Sequence, residues 1–345
     1  MILKRKGIFV VKIIDFKDNI NQKDLHLIKE VIKNNGIIVF PTETVYGIGA
    51  SIYSLEGIKK IFASKGRPND NPLIVHISSR EMLNDISLDI DDVSALLMDT
   101  FWPGPLSIIL PKKDTIADII TGGLDTVGVR MPANDIALKI ISTCNTPLAA
   151  PSANASGRPS GTDISDIYEE LKDKVDLIID GGKTTIGLES TVVRVIRGVV
   201  HILRPGGVSK EEISSLGLKV VSEDNKVTKG SVVSPGVKYK HYAPNAKAIL
   251  VYSKDKEKMI NKINELTQEN TVVICTKKNK DRYKTKTIAM GNDLNEIAKN
   301  IFKVLRSADK LTPNLIIIEG VESNYIGRAI MNRLIKAVSY NYLEL

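Results

Sequence analysis

Short apolar runs alternate with amphipathic helical stretches along the chain, and this alternation limits the possible folds more than any other feature of the sequence. Residues 24–34 have apolar side chains at helical spacing, and Gly36 is the expected end of this helix. The apolar run 37–40 that follows is predicted to be a short buried strand. The same pattern predicts strands at 73–77, 107–110, 127–131, 175–179, 190–196 and 199–203, and helices at 54–62, 91–101, 135–143 and 163–171. Because the last two strands read as a hairpin across Arg197-Gly198, we expect an α/β fold with a twisted mixed sheet.

A second pattern, in which strands and helices alternate, begins near Ala246. Its predicted strands are 248–252, 272–275 and 315–318, and its predicted helices are 254–267, 293–308 and 325–338. Such alternation is typical of a small parallel, Rossmann-like sheet, but no GxGxxG follows the first strand, so we assign no dinucleotide to it. The sequence therefore predicts a first domain at 1–215, a linker at 216–245 and a second, smaller domain at 246–345.

Composition argues against several classes of protein. Of the 345 residues, 43% are hydrophobic and 26% are charged, which favours globular domains over a disordered chain. No apolar run approaches the ~20 residues that cross a bilayer, so we expect no membrane partner. Cys144 and Cys275 lie far apart and neither belongs to a CxxC pair, which favours buried thiols in a reducing cytoplasm and argues against a structural zinc site.

The net charge of +8 is concentrated in the last third of the chain. Residues 247–345 contain eighteen Lys and Arg against eleven Asp and Glu, and the densest basic stretch is 277–286. Such a stretch can contact RNA phosphates, or it can be a solvated loop after a buried strand. Charge alone leaves both interpretations open.

Five segments combine glycine or proline with hydroxyls and charged side chains, and most of them adjoin an apolar strand. They are 41–49, 65–73, 127–132, 147–162, and 187–193 together with 203–207. Lys65 and Arg67, one residue apart on a glycine- and proline-containing segment, suit a polyphosphate, because a planar fork and a mobile point charge together can hold several oxygens. The small residues and hydroxyls of 147–162 allow close backbone approach to a ligand, with Asn154 as a directed donor.

Two side chains remain ambiguous from the sequence alone. Arg130 lies in an apolar strand and needs an anionic partner, which is either a structural acid or the carboxylate of a substrate. His76, on another strand, is either a core histidine or a ligand contact. The chain has no GxSxG elbow, Walker A sequence or HExxH motif, so the pattern favours binding of phosphates and a small amino acid without a covalent intermediate.

As an ordered set, four of these motifs resemble the YrdC-type threonylcarbamoyl-AMP synthase family over about residues 20–210. They are Lys-Gly-Arg-Pro-x-x-Asn-Pro-Leu at 65–73, Pro-Ser-Ala-Asn-x-Ser-Gly at 151–157, Glu-Ser-Thr-Val-Val at 189–193 and Leu-Arg-Pro-Gly at 203–206. The linker sequence 234–244 and the appended Rossmann-like domain resemble the long, two-domain form of that family. Val237 departs from the linker motif, in which Met is expected.

The resemblance implies an activity: L-threonine, bicarbonate and ATP give threonylcarbamoyl-AMP and pyrophosphate. It also implies Mg²⁺ accompanying ATP and no organic cofactor. The product would pass to a separate transferase that makes N6-threonylcarbamoyladenosine in the tRNA anticodon loop, and direct tRNA binding is left open.

The resemblance also implies roles for individual residues. The threonine-binding residues would be Thr42, His76, Arg130, Ala150, Ser152 and Ser190, with Arg130 on the carboxylate. The nucleotide-binding residues would be Lys65, Arg67, Asn69, Asn154, Ser160, Arg204, Ser234 and Tyr239. Among these, the residues expected to act in catalysis are Lys65, Arg67, Ser152 and Asn154. His241 and Tyr242 would support a lid formed by the linker.

Three other functions are compatible with parts of this pattern. An RNA-binding or ribosome-associated protein would explain the positive charge, but aromatic residues make up only 5% of the chain. An O-carbamoyltransferase would share the YrdC-like module, but such proteins carry additional catalytic or zinc modules, and two cysteines argue against the zinc type. A regulatory sensor of threonine or nucleotide would bind the same ligands without turnover.

Overall fold

The computed structural model describes residues 11–222, here called the N-terminal part, and residues 242–345, the C-terminal part. Ser234, Tyr239 and His241 lie outside the described residues. Within these ranges the strands are β1 (Lys12–Asp15), β2 (Ile38–Phe40), β3 (Gly47–Ser51), β4 (Ile74–His76), β5 (Leu106–Pro111), β6 (Thr126–Arg130), β7 (Leu148–Ala150), β8 (Leu177–Asp180), β9 (Thr191–Ile196), β10 (Val199–Arg204), β11 (Val220–Ser222), β12 (Lys247–Tyr252), β13 (Thr271–Thr276), β14 (Lys286–Gly291), β15 (Leu315–Glu319) and β16 (Tyr342–Glu344).

Ten α-helices accompany these strands in the described ranges. They are α1 (Gln22–Lys33), α2 (Leu55–Lys65), α3 (Asp92–Phe101), α4 (Asp118–Thr121), α5 (Asp135–Cys144), α6 (Ile164–Leu171), α7 (Lys210–Ser214), α8 (Lys256–Leu266), α9 (Leu294–Asp309) and α10 (Ile326–Ala337). Arg80–Asp85 and Lys277–Arg282 form 3₁₀ helices. None of the helices described is long and apolar enough to cross a membrane.

The N-terminal part is built on one large mixed sheet. Over the described residues its strand order is β1-β8-β2-β3-β7-β4-β6-β5-β9-β10-β11. The sheet contains both parallel pairs such as β4-β6 and antiparallel pairs such as β3-β7, and β9-β10 form the predicted hairpin. Helices cover both faces: α1 and α5 pack over one core, and α2, α3 and α6 over another. The predicted twisted mixed α/β fold is confirmed.

The helix before the predicted phosphate-binding segment is longer than its sequence pattern predicts. Ser54 caps α2 by accepting a hydrogen bond from the Gly57 amide, as expected for a serine at that position. The helix ends only at Lys65, where Gly66 takes a left-handed conformation with φ of 62° that glycine adopts without strain. Lys65 is therefore the last helical residue rather than part of a loop, and this fixes its backbone.

The C-terminal part contains a second sheet of parallel strands, as predicted. Its order over the described residues is β14-β13-β15-β12-β16. β14 and β16 were not predicted: β14 begins in the basic stretch and mixes polar with apolar residues, and β16 has only three residues. The basic stretch 277–286 is thus a 3₁₀ helix followed by the start of an edge strand.

The two parts share an apolar core. Val45 and Leu188 of the N-terminal part belong to the same buried cluster as Tyr242 and Phe302, and the last two rings stack with centroids 5.1 Å apart. Gly187, with φ of 82°, lies against helix α9 so closely that an added Cβ would be 2.4 Å from the Lys299 Cα. Only glycine fits this backbone-to-backbone contact.

Candidate active site

Strands of the large sheet bring several of the predicted site residues together. His76 ends β4 and Arg130 ends β6, and the parallel pairing of these strands sets the two residues side by side. Ala150 ends β7 and pairs with β4, while Arg204 ends β10. They border a cavity of about 800 Å³, which includes open solvent at its mouth. Ten of the predicted site residues line this cavity: Thr42, Lys65, Arg67, His76, Arg130, Ala150, Ser152, Asn154, Ser190 and Arg204.

Lys65 is a buried ammonium inside the wall of the cavity. Its Nζ donates hydrogen bonds to the carbonyl oxygens of Ser152 and of Asn154, the latter at 2.6 Å. Burial, followed by the nearby charge of Arg67, holds the pKa of Lys65 well below its usual range. Arg67 lies nearer the mouth and donates to the Pro72 carbonyl at 3.1 Å. Two basic side chains, Lys65 and Arg67, therefore border the cavity.

The 147–162 segment folds into a loop that turns on Asn154. The Asn154 Nδ2 donates to the carbonyls of Ala155 at 2.8 Å and Arg158 at 2.9 Å, and its Oδ1 accepts from the Ser152 hydroxyl at 2.6 Å. These local bonds, added to those of Lys65, fix the loop backbone at the cavity wall. The loop is thus organised before any ligand arrives, which lowers the entropic cost of binding.

Arg130 has an acidic partner within the protein. Its Nη2 lies 2.5 Å from the Glu43 Oε2, and both side chains are about 95% buried (exposed fractions 4% and 5%). Within the described residues neither of these two atoms takes part in a hydrogen bond, so the contact is an ion pair. Nε donates to the Gly104 carbonyl at 3.1 Å and Nη1 to the Thr44 hydroxyl at 2.9 Å. The structural acid left open above is therefore present, and Arg130 still borders the cavity.

Thr42 and His76 present neutral groups beside Arg130. The Thr42 hydroxyl donates to the Val45 carbonyl at 2.6 Å and lies 2.8 Å from the Thr44 hydroxyl. Burial, followed by the charge of Arg130, lowers the pKa of His76 to about 3, so its imidazole is neutral near pH 7. A neutral ring beside a buried arginine adds no further positive charge to this end of the cavity.

Ser190 and Arg204 are further residues of the cavity wall. The Arg204 guanidinium donates to the Ser190 carbonyl at 2.9 Å and to its hydroxyl at 3.2 Å. The Ser190 hydroxyl also lies 2.7 Å from the Ser107 hydroxyl on β5. Arg204 is buried and borders the cavity, so it is a third cation close to the nucleotide-binding residues predicted above.

Glu189 is the carboxylate of the cavity wall, and residues from both parts of the chain bind it. Its Oε1 accepts from the Ser160 hydroxyl at 2.7 Å, and its Oε2 accepts from the Arg333 Nε on α10 at 2.8 Å. Tyr242 also borders the cavity, with the Arg333 guanidinium 5.6 Å from the centre of its ring. The C-terminal part therefore contacts the candidate site through a buried ion pair.

Comparison with known proteins identifies the family. A family model described as "Telomere recombination" (Sua5_yciO_yrdC) matches residues 30–206, and a model described as "Threonylcarbamoyl-AMP synthase, C-terminal domain" (Sua5_C) matches residues 208–339. A threonylcarbamoyl-AMP synthase of Pyrococcus abyssi is 41% identical over 96% of this chain and 99% of its own length. The chain belongs to the Sua5–YciO–YrdC family.

Two further relatives extend the comparison to another organism and to a solved structure. A threonylcarbamoyl-AMP synthase of Bacillus subtilis is 37% identical over 94% of this chain and 96% of its own length. The crystal structure of P. abyssi Sua5 complexed with L-threonine superposes with a TM-score of 0.91 at 40% identity, covering 96% of this chain and 99% of that one. The similarity therefore includes both parts of this family member.

Some predicted residues lie away from the cavity wall, and two acids of the site were given no role by the sequence. Asn69 is exposed and does not border the cavity, and Ser160 is buried behind the wall, bonded to Glu189. Glu43 and Glu189 lie inside motifs that the sequence analysis singled out. A search for the acid that each buried arginine requires would have drawn attention to both.

The cavity wall combines two chemically different sets of side chains. Hydroxyl groups, a neutral imidazole and one paired arginine suit a small polar molecule carrying a carboxylate. Lys65, Arg67 and Arg204 suit the phosphates of a nucleotide. In a site shielded from water such fixed charges act more strongly than they would in bulk solvent.

Proposed function

We infer that this chain is a threonylcarbamoyl-AMP synthase, which converts L-threonine, bicarbonate and ATP to threonylcarbamoyl-adenylate and pyrophosphate. One observation carries this inference: a single cavity combines Arg130 and a set of hydroxyls with four further basic side chains, which are Lys65, Arg67, Arg158 and Arg204. The near full-length similarity to a protein crystallised with L-threonine supports it. The description of the family model that matches residues 208–339 names the same activity.

Threonine is proposed to bind at the end of the cavity that contains Arg130. A guanidinium has five N–H donors, so Arg130 retains donors for a substrate carboxylate beside its bonds to Gly104 and Thr44. Glu43 opposes Arg130 and limits the net charge there, which favours one carboxylate over a polyphosphate. The hydroxyls of Thr42, Ser152 and Ser190 would then hold the threonine amine and side chain.

The proposed chemistry needs positioning and charge more than a protein nucleophile. The threonine amine adds to CO₂ with loss of a proton, or to bicarbonate with loss of water, and gives a carbamate. A carbamate oxygen then bonds to the α-phosphorus of ATP while the bond from that phosphorus to the bridging oxygen of pyrophosphate breaks. Lys65, Arg67 and Arg204 offset the negative charge that develops on the leaving pyrophosphate. Asn154 fixes the loop between the two substrates.

Mg²⁺ is proposed to enter together with ATP as part of the substrate. Among the described residues there is no group of three or more His, Cys, Asp or Glu side chains arranged to hold a metal ion. The carboxylate at the cavity wall, Glu189, is already bound by Ser160 and Arg333. Phosphate oxygens and water would therefore supply most of the ligands, as is usual for Mg²⁺ with nucleotides.

The product is proposed to leave for a separate enzyme. Both the carbamate and the acyl-adenylate hydrolyse in water, so a transferase that modifies adenosine in tRNA would take up the adenylate soon after its release. We place this reaction in the cytoplasm, in agreement with unpaired thiols at Cys144 and Cys275.

The test is pyrophosphate release from ATP and Mg²⁺ with bicarbonate and each amino acid in turn, with the adenylate identified by mass spectrometry. Release that requires both threonine and bicarbonate is the expected result. Folded protein that binds ATP but releases no threonine-dependent pyrophosphate would exclude the synthase. Product formed from carbamoyl phosphate instead would favour a carbamoyltransferase, and salt-sensitive RNA binding that competes with ATP would favour an RNA-binding protein.

A further inference from the structure

Arg333 is a fully buried arginine that touches the cavity wall from behind. It lies on α10, has no exposed surface and does not border the cavity itself. Its Nε donates to Glu189 at 2.8 Å, and its guanidinium lies 5.6 Å from the ring centre of Tyr242. Glu189 and Tyr242 both border the cavity. A residue of the C-terminal part thus supports two wall residues without reaching the ligand.

Glu189 lies between two arginines. Burial would raise the pKa of Glu189, but the charges of Arg333 and Arg204 outweigh this effect and hold it at about 2. The carboxylate is therefore ionised at neutral pH. Arg333 takes one of its oxygens and Ser160 the other, while Arg204 donates to Ser190 instead. Because Glu189 accepts hydrogen bonds from Arg333 and Ser160, Arg204 donates to Ser190, the sequence neighbour of Glu189.

Loss of the Arg333 charge would change this balance. Glu189 would remain buried and negative, with Arg204 as the other arginine whose charge stabilises it. A buried carboxylate that loses one cation is strongly attracted to another, because an uncompensated charge in the interior is costly. Arg204 would then bind Glu189 more closely and hold phosphate less well.

We propose that Arg333 is a positioning residue of the nucleotide subsite: by pairing with Glu189 it keeps Arg204 available for a phosphate oxygen of ATP. This proposal rests on the proposed function, since it takes the ligand beside Arg204 to be a nucleotide. It makes the C-terminal part a contributor to ATP affinity through one ion pair. It also separates Arg333 from α10 residues that only hold the two parts together.

The experiment compares Arg333→Met, Glu189→Gln and the double variant in the full-length protein. Calorimetry would measure the Kd of α,β-methylene-ATP and, separately, the Kd of threonine. We expect Arg333→Met to raise the Kd of the nucleotide about tenfold or more and to change the Kd of threonine less than about twofold. Because the amide introduced by Glu189→Gln carries no charge to attract Arg204, the double variant should recover affinity to within about threefold of the unaltered protein.

Arg328→Met is the matched control. Arg328 is on the same helix and forms an ion pair with Glu211 of the N-terminal part at 3.3 Å, but Glu211 does not border the cavity. This variant should bind nucleotide as the unaltered protein does. An equal loss in Arg328→Met and Arg333→Met would mean that both residues only brace the two parts, and the proposal would be wrong.

Arg333→Lys keeps the test decisive if Arg333→Met does not fold. Lysine retains the charge but not the planar fork, so nucleotide affinity close to that of the unaltered protein is expected, whereas a tenfold loss in this folded variant would overturn the proposal. An unaltered affinity in folded Arg333→Met, or a double variant as weak as Arg333→Met, would also overturn it. Absence of threonine-dependent pyrophosphate release from the unaltered protein would instead count against the proposed function.

Discussion

Two buried glutamates at strand ends, one in each part of the molecule, have opposite surroundings. Glu189 lies two residues before β9 and interacts with two arginines, which hold its pKa at about 2. Glu319 ends β15 and is bound by neutral donors from Thr276, Asn279 and Tyr283. Burial raises the pKa of Glu319 in spite of those hydrogen bonds.

The comparison shows that a buried acid is informative through its partners rather than through its burial. Neutral donors around Glu319 close the loop after β13. Around Glu189 a carboxylate and arginines balance one another beside a cavity, so a ligand with negative charge can alter the balance. The first arrangement is structural, and the second is suited to binding.

The largest expected effect comes from the other buried ion pair of the cavity. Arg130→Met should lower kcat/KM for threonine about a thousandfold, because it removes the proposed carboxylate partner and leaves Glu43 buried without its cation. Initial rates of pyrophosphate release at varied threonine would measure this, with Arg328→Met as the control. An Arg130→Met enzyme with ordinary threonine kinetics would remove the threonine subsite from this end of the cavity.

Replacement of each glutamate by glutamine should lower the free energy of unfolding by different amounts at the two sites. Glu189→Gln should lower the free energy of unfolding by about 3 kcal/mol, because it leaves Arg333 buried without a counter-charge. Glu319→Gln should cost only about 1 kcal/mol, since the amide oxygen still accepts hydrogen bonds from neutral donors. Denaturant unfolding of both variants would test this, and equal losses would contradict it.

The pH dependence of stability should have opposite signs at the two sites. The pKa of Glu189 is lowered from 4.5 to about 2, so its contribution is present above about pH 4.5 and is lost as the pH falls towards 2. The pKa of Glu319 is raised, so its carboxylate costs stability increasingly as the pH rises above 4.5. Thermal unfolding between pH 3.5 and 7, in ~0.5-unit steps, should show the deficit of Glu189→Gln shrinking in acid and that of Glu319→Gln growing. Parallel curves would reject the assignment.

The smallest effect is expected at the basic stretch of the C-terminal part. Lys278 and Lys280 lie on a 3₁₀ helix away from the cavity, so the double change to glutamine should leave synthase kinetics unchanged. A large fall in pyrophosphate release would show that this surface takes part in turnover. Loss of salt-dependent RNA affinity with intact turnover would instead assign it to RNA binding.

The sequence indicated the fold class and most of the long elements, because their apolar periodicity is strong. Strands β3 and β7 were missed, since each is short and β3 contains two glycines, so that only pairing in the sheet makes them extended. The end of α2 was placed three residues early, since Phe62 is the last bulky apolar residue of the helix. The local sequence pattern cannot predict where a helix ends when tertiary contacts determine that end.

The candidate site was predictable as a list of side chains but not as a set of pairs. The motifs and the family resemblance that they carry identified ten residues of the cavity wall. That Arg130 pairs with Glu43, 87 positions earlier, or Glu189 with Arg333, 144 positions later, depends on the folded topology. No spacing rule connects residues so far apart.

Gly187 limits the substitutions that this chain can tolerate. Its contact with Lys299 is made by main-chain atoms on both sides, two residues before Glu189, so no rotamer change can relieve a side chain placed there. Even the methyl group of alanine would push the N-terminal part and the C-terminal part away from each other. A position outside the cavity wall is thereby intolerant of substitution, and Gly187→Ala offers a way to loosen the contact between the two parts while every residue of the cavity wall is retained.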